Sequence, residues 1–169
     1  MTMHVNKKLW TLAGMLAIFS VFLSPLSSAK EVIGWVEKVT IHPGALELKA
    51  KIDSGAKTSS IHCICQDFIE KDGEKYVSFV VTNYAGKQVR LERKIERFAT
   101  IKRHYGEAQE RAVIKLGICV AGVYKEAEVN VIDRSGLNYQ MLIGRNFLAG
   151  DFLIDTEKMY LSETSCQVK

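Results

Sequence analysis

Apolar and polar residues alternate along most of the chain after residue 30, and this pattern predicts β-strands. In residues 46–52 the even-numbered positions are apolar and the odd-numbered positions are Glu or Lys, which is the two-residue period of a strand with one buried face. The same reasoning predicts ten strands, several of them rich in β-branched residues. They are residues 32–41, 46–52, 61–68, 76–82, 89–95, 111–120, 123–132, 139–143, 152–154 and 159–161.

Turn-forming residues separate the predicted strands. Pro43-Gly44 divides the first two, and Asp72-Gly73 and Ala121-Gly122 have the composition of tight hairpin turns. Only residues 145–149 favour a helix, which Gly150 would end. These features predict an all-β sandwich or barrel with one short helix near the C-terminus.

The first 29 residues have the organisation of a secretory signal peptide. Lys7 and Lys8 form a basic start, residues 9–23 are largely apolar, and Ser27-Ser28-Ala29 is a small-residue cleavage site. We expect cleavage after Ala29, a periplasmic or secreted protein, and one domain over residues 30–169. The alternative is an uncleaved anchor, although this apolar run is shorter than the roughly 20 residues that a membrane span needs. Only an uncleaved segment would bring the chain to a membrane.

The charge balance argues against nucleic acid as a partner. The chain has 23 Lys and Arg against 19 Asp and Glu, a formal net charge of +4. This excess is too small to indicate an electrostatic surface for phosphates or anionic lipids.

Four cysteines, Cys63, Cys65, Cys119 and Cys166, are an even set that predicts disulfides in an exported protein. Cys63 and Cys65 are two residues apart on a predicted strand and would point to the same face, so they are poorly placed to pair with each other. We therefore favour a bond from one of them to Cys119 or Cys166, although the sequence does not choose among the pairings.

Zinc is the alternative use of this region. His62 precedes Cys63 and Cys65, and His42 and His104 occur elsewhere in the chain. However, the sequence has neither a His-Glu-x-x-His motif nor two Cys-x-x-Cys elements. We therefore predict no metal site and no cofactor.

Two segments carry the candidate chemistry. Asp53-Ser54-Gly55-Ala56 follows an alternating strand, and Met141 to Asn146 is an apolar run that ends in Gly144 before the predicted helix. Together they resemble the active-site frame of retropepsin-like aspartic peptidases. Residues 51–62, together with the segment from Ile132 to Leu148, are similar to a bacterial family that carries the label ATP-dependent zinc protease. No glycine-rich phosphate loop accompanies them, so the sequence does not support ATP use.

The resemblance implies a fold and a mechanism. The fold would be a single-lobe, retropepsin-like barrel, and the activity would be hydrolysis of a peptide or protein substrate by two carboxylates that act on one water. Such a closely spaced pair shares a proton. Because the chain has one Asp-Ser-Gly sequence, the second carboxylate would come from another copy. Asp53 of each subunit would then form the dyad across the two-fold axis of a homodimer.

The resemblance also assigns supporting roles. Ser54 would hydrogen-bond across the dimer axis, Gly55 would permit the tight turn, and Ala56 would leave room for a substrate strand. Ile143 and Gly144 would pack against the aspartate loop, with Arg145 bracing it. A flap over the substrate would carry His104, Tyr105 and Gly106.

One residue departs from the viral enzymes, and two other functions stay open. Lys57 follows Ala56 where viral retropepsins have an Asp that pairs with the helix Arg, so Arg145 needs a different partner. Asp-Ser-Gly is also a common turn sequence. The alternatives are therefore a catalytically inactive binding or scaffold module with the same fold, or a zinc-dependent hydrolase.

Overall fold

The computed structural model describes residues 29–63, 66–101, 107–163 and 165–166. Within these residues the chain forms ten strands and one short helix. The strands are β1 (Glu31–His42), β2 (Leu46–Ile52), β3 (Ser59–His62), β4 (Gln66–Lys71), β5 (Glu74–Thr82), β6 (Gln88–Ile101), β7 (Gln109–Val120), β8 (Val123–Ile132), β9 (Met141–Ile143) and β10 (Phe152–Met159), and the helix is α1 (Arg145–Leu148). No helix in this part of the chain is long and apolar enough to cross a membrane.

Six of the strands close into a barrel. Neighbouring strands pair in the order β1, β2, β9, β3, β8, β7, and β7 returns to β1. Closure removes the exposed sheet edges that these strands would otherwise present. The all-β, single-lobe barrel with one short helix is therefore confirmed.

Strand β1 pairs with three different partners along its length. Glu31 to Gly34 pair in parallel with β10, Val36 to Ile41 pair with β2, and Thr40 to His42 pair with β7. One strand therefore joins the barrel to the C-terminal strand and also closes the barrel.

The core runs from the barrel to the hairpin strands β5 and β6 and follows the alternation seen in the sequence. The even-numbered positions of β2 are buried and its odd-numbered positions are not. Buried residues from β1, β2, β7 and β9, together with Phe147 of α1, form one cluster. Burial of these apolar side chains is the main force that fixes the strand register.

Strands β4, β5 and β6 extend the sheet beyond the barrel as two successive hairpins. Asp72 and Gly73 join β4 to β5 with φ angles of 51° and 77°, as a two-residue hairpin turn requires. Ala121 and Gly122 join β7 to β8 in the same way, with φ angles of 48° and 77°.

Three predicted strand boundaries are wrong. Residues 61–68 are not one strand, because β3 ends at His62 in the barrel and β4 begins at Gln66 in the hairpin sheet. Strand β6 continues to Ile101 instead of ending at residue 95, with an irregular register between Ile95 and Arg97. The two short strands predicted at 152–154 and 159–161 are one strand, β10.

The predicted involvement of Cys63 or Cys65 in a disulfide with Cys119 or Cys166 is also wrong. Cys119 bonds to Cys166, with a Cα–Cα distance of 5.9 Å. Cys63 is buried after the end of β3, and Cys65 lies outside the described residues. The reason is the path of the C-terminal segment, which follows β10 and brings Cys166 beside β7.

Buried Glu37 holds the same C-terminal segment. Its carboxylate accepts hydrogen bonds from the backbone N–H groups of Gly34, Leu161 and Ser162 and from the Ser162 hydroxyl, at 2.6 to 3.3 Å. A carboxylate buried in this way is tolerated because its oxygens are hydrogen-bonded. The C-terminal segment is therefore fixed by a charged hydrogen-bond cluster and by a covalent bond.

Candidate active site

Asp53 lies in the turn that follows β2. Its backbone N–H donates to the Ile143 carbonyl over 2.9 Å, which joins the turn to β9. The N–H groups of Gly55 and Ala56 donate to Asp53 Oδ1 over 2.9 and 3.2 Å. One carboxylate oxygen is thus held by the backbone, and Oδ2 faces the Lys51 ammonium group at 3.7 Å.

The segment after β9 packs directly on this turn. The Gly144 N–H donates to the buried Ser59 hydroxyl over 3.1 Å. The Arg145 N–H donates to the Ala56 carbonyl over 2.9 Å. A Cβ at Gly144 would lie only 2.8 Å from the Thr58 carbonyl carbon, so this close approach requires glycine.

Arg145 finds its partner within the aspartate turn itself. Its Nη1 donates to the Ser54 and Gly55 carbonyls over 2.7 and 2.9 Å. These two carbonyl groups are therefore the partners of Arg145, in place of the acidic side chain that Lys57 replaces. Ser54 is exposed beside them.

A cavity of about 450 Å³ opens beside Asp53. The Asp53 side chain is 25% exposed, and it is the one carboxylate among the described residues that line this cavity. The other lining residues are Trp35, Lys51, Arg134, Leu137, Asn138, Tyr139 and Leu142. A pair of carboxylates at this cavity would therefore need a second acid from outside these residues.

A neighbouring cavity of about 650 Å³ is strongly basic. Its lining includes Ala56 and one carboxylate, Glu128. It also includes four cationic side chains, which are Lys57, Arg97, Arg111 and Arg134. Arg97 Nη2 and Glu128 Oε2 pair at 2.6 Å, and this hydrogen bond lowers the pKa of Glu128. Asn130 also lines this cavity and is only 6% exposed. Its buried Oδ1 atom has no hydrogen-bond partner among the described residues.

Arg134 lines both cavities. Its Nη1 donates to the Ser60 hydroxyl over 2.9 Å, and its Nε donates to the Tyr139 carbonyl over 3.2 Å. Burial, followed by the charge of Arg111, lowers the pKa of Arg134, while the charge of Asp53 opposes this change. Sequence reasoning missed this residue as a site component. The signal available was its position in the segment 132–134 that carries the family resemblance.

The candidate flap residues His104, Tyr105 and Gly106 lie outside the described residues. The strands that lead to them are described, and β6 and β7 pair up to Ile101 and Gln109. The flap assignment therefore stays a prediction.

A third cavity, of about 870 Å³, lies away from Asp53. It is lined by residues of the turn between β1 and β2, including His42 and Pro43, together with Tyr124 and Glu126. That turn is at the opposite end of β2 from Asp53. The described residues contain no group of three or more His, Cys, Asp or Glu side chains arranged to hold a metal ion.

The sequence pattern of one protein family matches the region that builds this site. The family is described as "RimB-like: Retropepsin-like aspartic endopeptidase RimB", and the match covers residues 32–165. The chain belongs to the RimB-like family. The matched region includes Asp53 and its supporting residues, together with Arg134.

Curated relatives carry a different name. Proteins named "Probable alpha-L-glutamate ligase" from Shewanella pealeana and Desulfotalea psychrophila are 33% and 32% identical over 120 and 131 residues. These matches cover 69% and 75% of this RimB-like chain but 26% and 28% of the relatives. The chain thus spans about a quarter of their length.

A solved structure has the same fold. The crystal structure of a Legionella pneumophila protein of unknown function superimposes with a TM-score of 0.69. The two sequences are 27% identical, and the likeness covers 80% of this chain and all of the other.

Proposed function

We propose that this RimB-like chain is an aspartic endopeptidase whose catalytic dyad consists of Asp53 from two copies of the chain. The observation that carries the proposal is the Asp53 carboxylate, held by two backbone N–H groups at the mouth of a cavity. Membership of a family described as retropepsin-like aspartic endopeptidases supports the same activity.

The chemistry requires one ionised and one protonated carboxylate. The ionised carboxylate takes a proton from a bound water, which attacks the peptide carbonyl, and the protonated carboxylate donates to the carbonyl oxygen. Among the described residues that line the cavity, Asp53 is the single acid. A symmetric pair of chains supplies the second acid without any further residue.

The basic cavity supports a substrate with acidic side chains near the scissile bond. Arg111 and Arg134 bring guanidinium groups, which suit carboxylates, to a cavity that begins at Ala56. Relatives that contain a similar domain carry the name alpha-L-glutamate ligase, and glutamate is an acidic residue. We therefore propose glutamyl-containing peptides as the preferred substrates.

We further propose that the domain works outside the cytoplasm after cleavage at Ala29. The disulfide between Cys119 and Cys166 supports this location, because such bonds persist in oxidising compartments. Mass spectrometry of the protein recovered from cells tests the proposal, with Lys30 as the expected first residue. An intact N-terminus on all of the recovered protein would contradict it.

Replacement of Asp53 with Asn tests the catalytic role. Asparagine keeps the acceptor atom for Gly55 and Ala56 but cannot share the dyad proton, so we expect cleavage of quenched peptides to fall at least a hundredfold with little change in folding, on the order of the loss for an essential acid–base group. The matched control is Asp67→Asn, which removes an exposed carboxylate on β4. It should cleave at the wild-type rate.

Peptides that differ only by Glu or Gln beside the scissile bond test the substrate. We expect faster cleavage of the Glu peptide, and this preference should weaken in Arg111→Gln.

Full cleavage by Asp53→Asn would remove the proposed mechanism. A dimeric wild-type protein that binds both peptides and cleaves neither would instead be an inactive binding module.

A further inference from the structure

Lys125, near the start of β8, contacts the short helix α1 and the residues that follow it. Its ammonium group donates to the Phe147 carbonyl over 2.6 Å and pairs with the Asp151 carboxylate. The same group lies 5.2 Å from the centroid of the Phe147 ring and 5.9 Å from that of the Phe152 ring. A cation at this distance is attracted to the face of an aromatic ring. One side chain of the barrel therefore holds the C-terminal end of α1.

The helix α1 is too short to hold its own position. It has four residues, Arg145–Leu148, and its N-cap residue Gly144 makes no side-chain hydrogen bond. Isolated helices shorter than about 12 residues are marginal in water, so contacts with the rest of the chain decide where α1 lies. Phe147 is fully buried, but the gain from apolar burial has no preferred direction. The hydrogen bond from Lys125 to the Phe147 carbonyl has one, and it therefore orients the helix.

The N-terminal end of α1 is joined to the aspartate turn. The Arg145 N–H donates to the Ala56 carbonyl over 2.9 Å, and Arg145 Nη1 donates to the Gly55 carbonyl over 2.9 Å. Asp53 itself is held by a different element, because its N–H donates to the Ile143 carbonyl of β9. A movement of α1 would therefore shift Gly55 and Ala56 relative to Asp53. These two residues are the ones whose N–H groups hold Asp53 Oδ1.

We propose that Lys125 is a positioning residue, which holds α1 so that the aspartate turn presents the Asp53 carboxylate in its catalytic orientation. This inference rests on the proposed function for its catalytic consequence. Lys125 is not one of the described residues that line the Asp53 cavity, so it acts through α1 and the turn. A catalytic group that is displaced by a fraction of its contact distance loses the geometry that the reaction requires.

Replacement of Lys125 with Met tests the catalytic consequence. Methionine keeps an apolar stem against the two rings but has neither charge nor donor. We expect kcat for a glutamyl peptide to fall about tenfold and KM to change less than about twofold, because no lining residue of the two cavities beside Ala56 and Asp53 is altered. Lys125→Arg keeps the charge and the donors, so it should restore kcat to within about twofold of the wild type.

The backbone amide signals of Gly55 and Ala56 test the displacement without any need for activity. Their N–H groups bond to Asp53 Oδ1, so their ¹H and ¹⁵N chemical shifts report the geometry of that contact. We expect both signals to move in Lys125→Met and to return toward their wild-type positions in Lys125→Arg. The Asp53 amide, which is bonded to β9, should move less.

Two control variants on β5 separate positioning from a general loss of stability. Lys75→Met removes an exposed lysine and should leave the amide signals and the kinetics unchanged. Val81→Ala removes two methyl groups from a buried position in the hairpin sheet. It should lower the free energy of unfolding, as the loss of buried methyl groups does, and leave the signals of Gly55 and Ala56 in place.

A second variant keeps the test decisive if Lys125→Met does not fold. Asp151→Asn weakens the ion pair with Lys125 and leaves the hydrogen bond to the Phe147 carbonyl. It should move the signals of Gly55 and Ala56 in the same direction as Lys125→Met, by a smaller amount. Unmoved signals in every folded variant of the Lys125 contacts would overturn the proposal.

An equal movement of the two signals in Val81→Ala would also overturn it, because any loss of stability would then displace the turn. So would a rise in KM at constant kcat in Lys125→Met. The amide results leave the proposed function standing, since none of them depends on cleavage. If the signals move as expected and no peptide is cleaved by the wild type, the positioning of the turn stands and the endopeptidase proposal fails.

Discussion

At the scale of single residues, backbone groups hold Asp53 in position. Gly55 and Ala56 hold its carboxylate, and Arg145 holds the carbonyls of the same turn. These local contacts follow from a short motif, so the sequence was sufficient to predict the turn and to name Asp53 as a candidate. The contacts of Arg134 with His62 and Ser60 join residues 72 and 74 positions apart, and no local pattern reveals a partner at that distance.

Gly144 gives the clearest prediction at this scale. Its φ of −95° is open to any residue, but an added Cβ would meet the backbone at Thr58. We expect Gly144→Ala to lower the free energy of unfolding by about 1–3 kcal/mol, as overpacking of a tight contact does, and to impair cleavage because the aspartate turn is displaced. Denaturant unfolding measures the loss.

The matched control is Gly136→Ala, where an added Cβ meets nothing within 4 Å. It should unfold within about 0.5 kcal/mol of the wild type, as surface substitutions do. Equal stability of the two variants would show that the turn adapts to a larger residue at position 144.

At the scale of strands, the alternation of apolar and polar residues predicted where the barrel elements lie. The predicted bounds of β2 and β8 agree with the structure. The failures come where a strand changes sheet or carries charge on both faces. β3 and β4 read as one apolar run although they pair with different strands, and the end of β6 is rich in exposed residues that resemble a loop.

The link between β7 and the C-terminal segment yields a prediction about stability. Cys119 and Cys166 are 47 residues apart, so the bond restricts a loop of that length in the unfolded chain. Cys166→Ser should therefore lower the free energy of unfolding by about 4 kcal/mol according to the loop-entropy relation. The comparison is made by denaturant unfolding.

Reductant provides the control. It should destabilise the wild type by a similar amount and leave Cys166→Ser unchanged. Further destabilisation of the variant by reductant would mean that a different cysteine pair contributes to stability.

At the scale of the whole molecule, one chain provides half of the proposed catalytic centre. The described residues form one hydrophobic core, to which the barrel strands and β5 and β6 contribute. The site, in contrast, offers one carboxylate among the described residues that line the Asp53 cavity. Stability and activity should therefore separate, because the first belongs to the chain and the second to a pair of chains.

Dilution tests this separation. We expect specific activity to fall as the protein is diluted below the dimer dissociation constant, by mass action, while circular dichroism stays constant. Addition of excess Asp53→Asn to the wild type should also inhibit cleavage, because a mixed pair has one normal aspartate. Asp67→Asn added in the same excess should not. Specific activity that is independent of concentration down to a demonstrated monomer would exclude the shared dyad.

The three pairings of β1 have a consequence for the order of events during synthesis. The first strand of the domain receives its parallel partner only after Phe152 to Met159 have been made. Contacts so distant in sequence form slowly, so Glu31 to Gly34 lack their parallel partner during most of synthesis. The N-terminal part of β1 therefore stays an open sheet edge until β10 has been made.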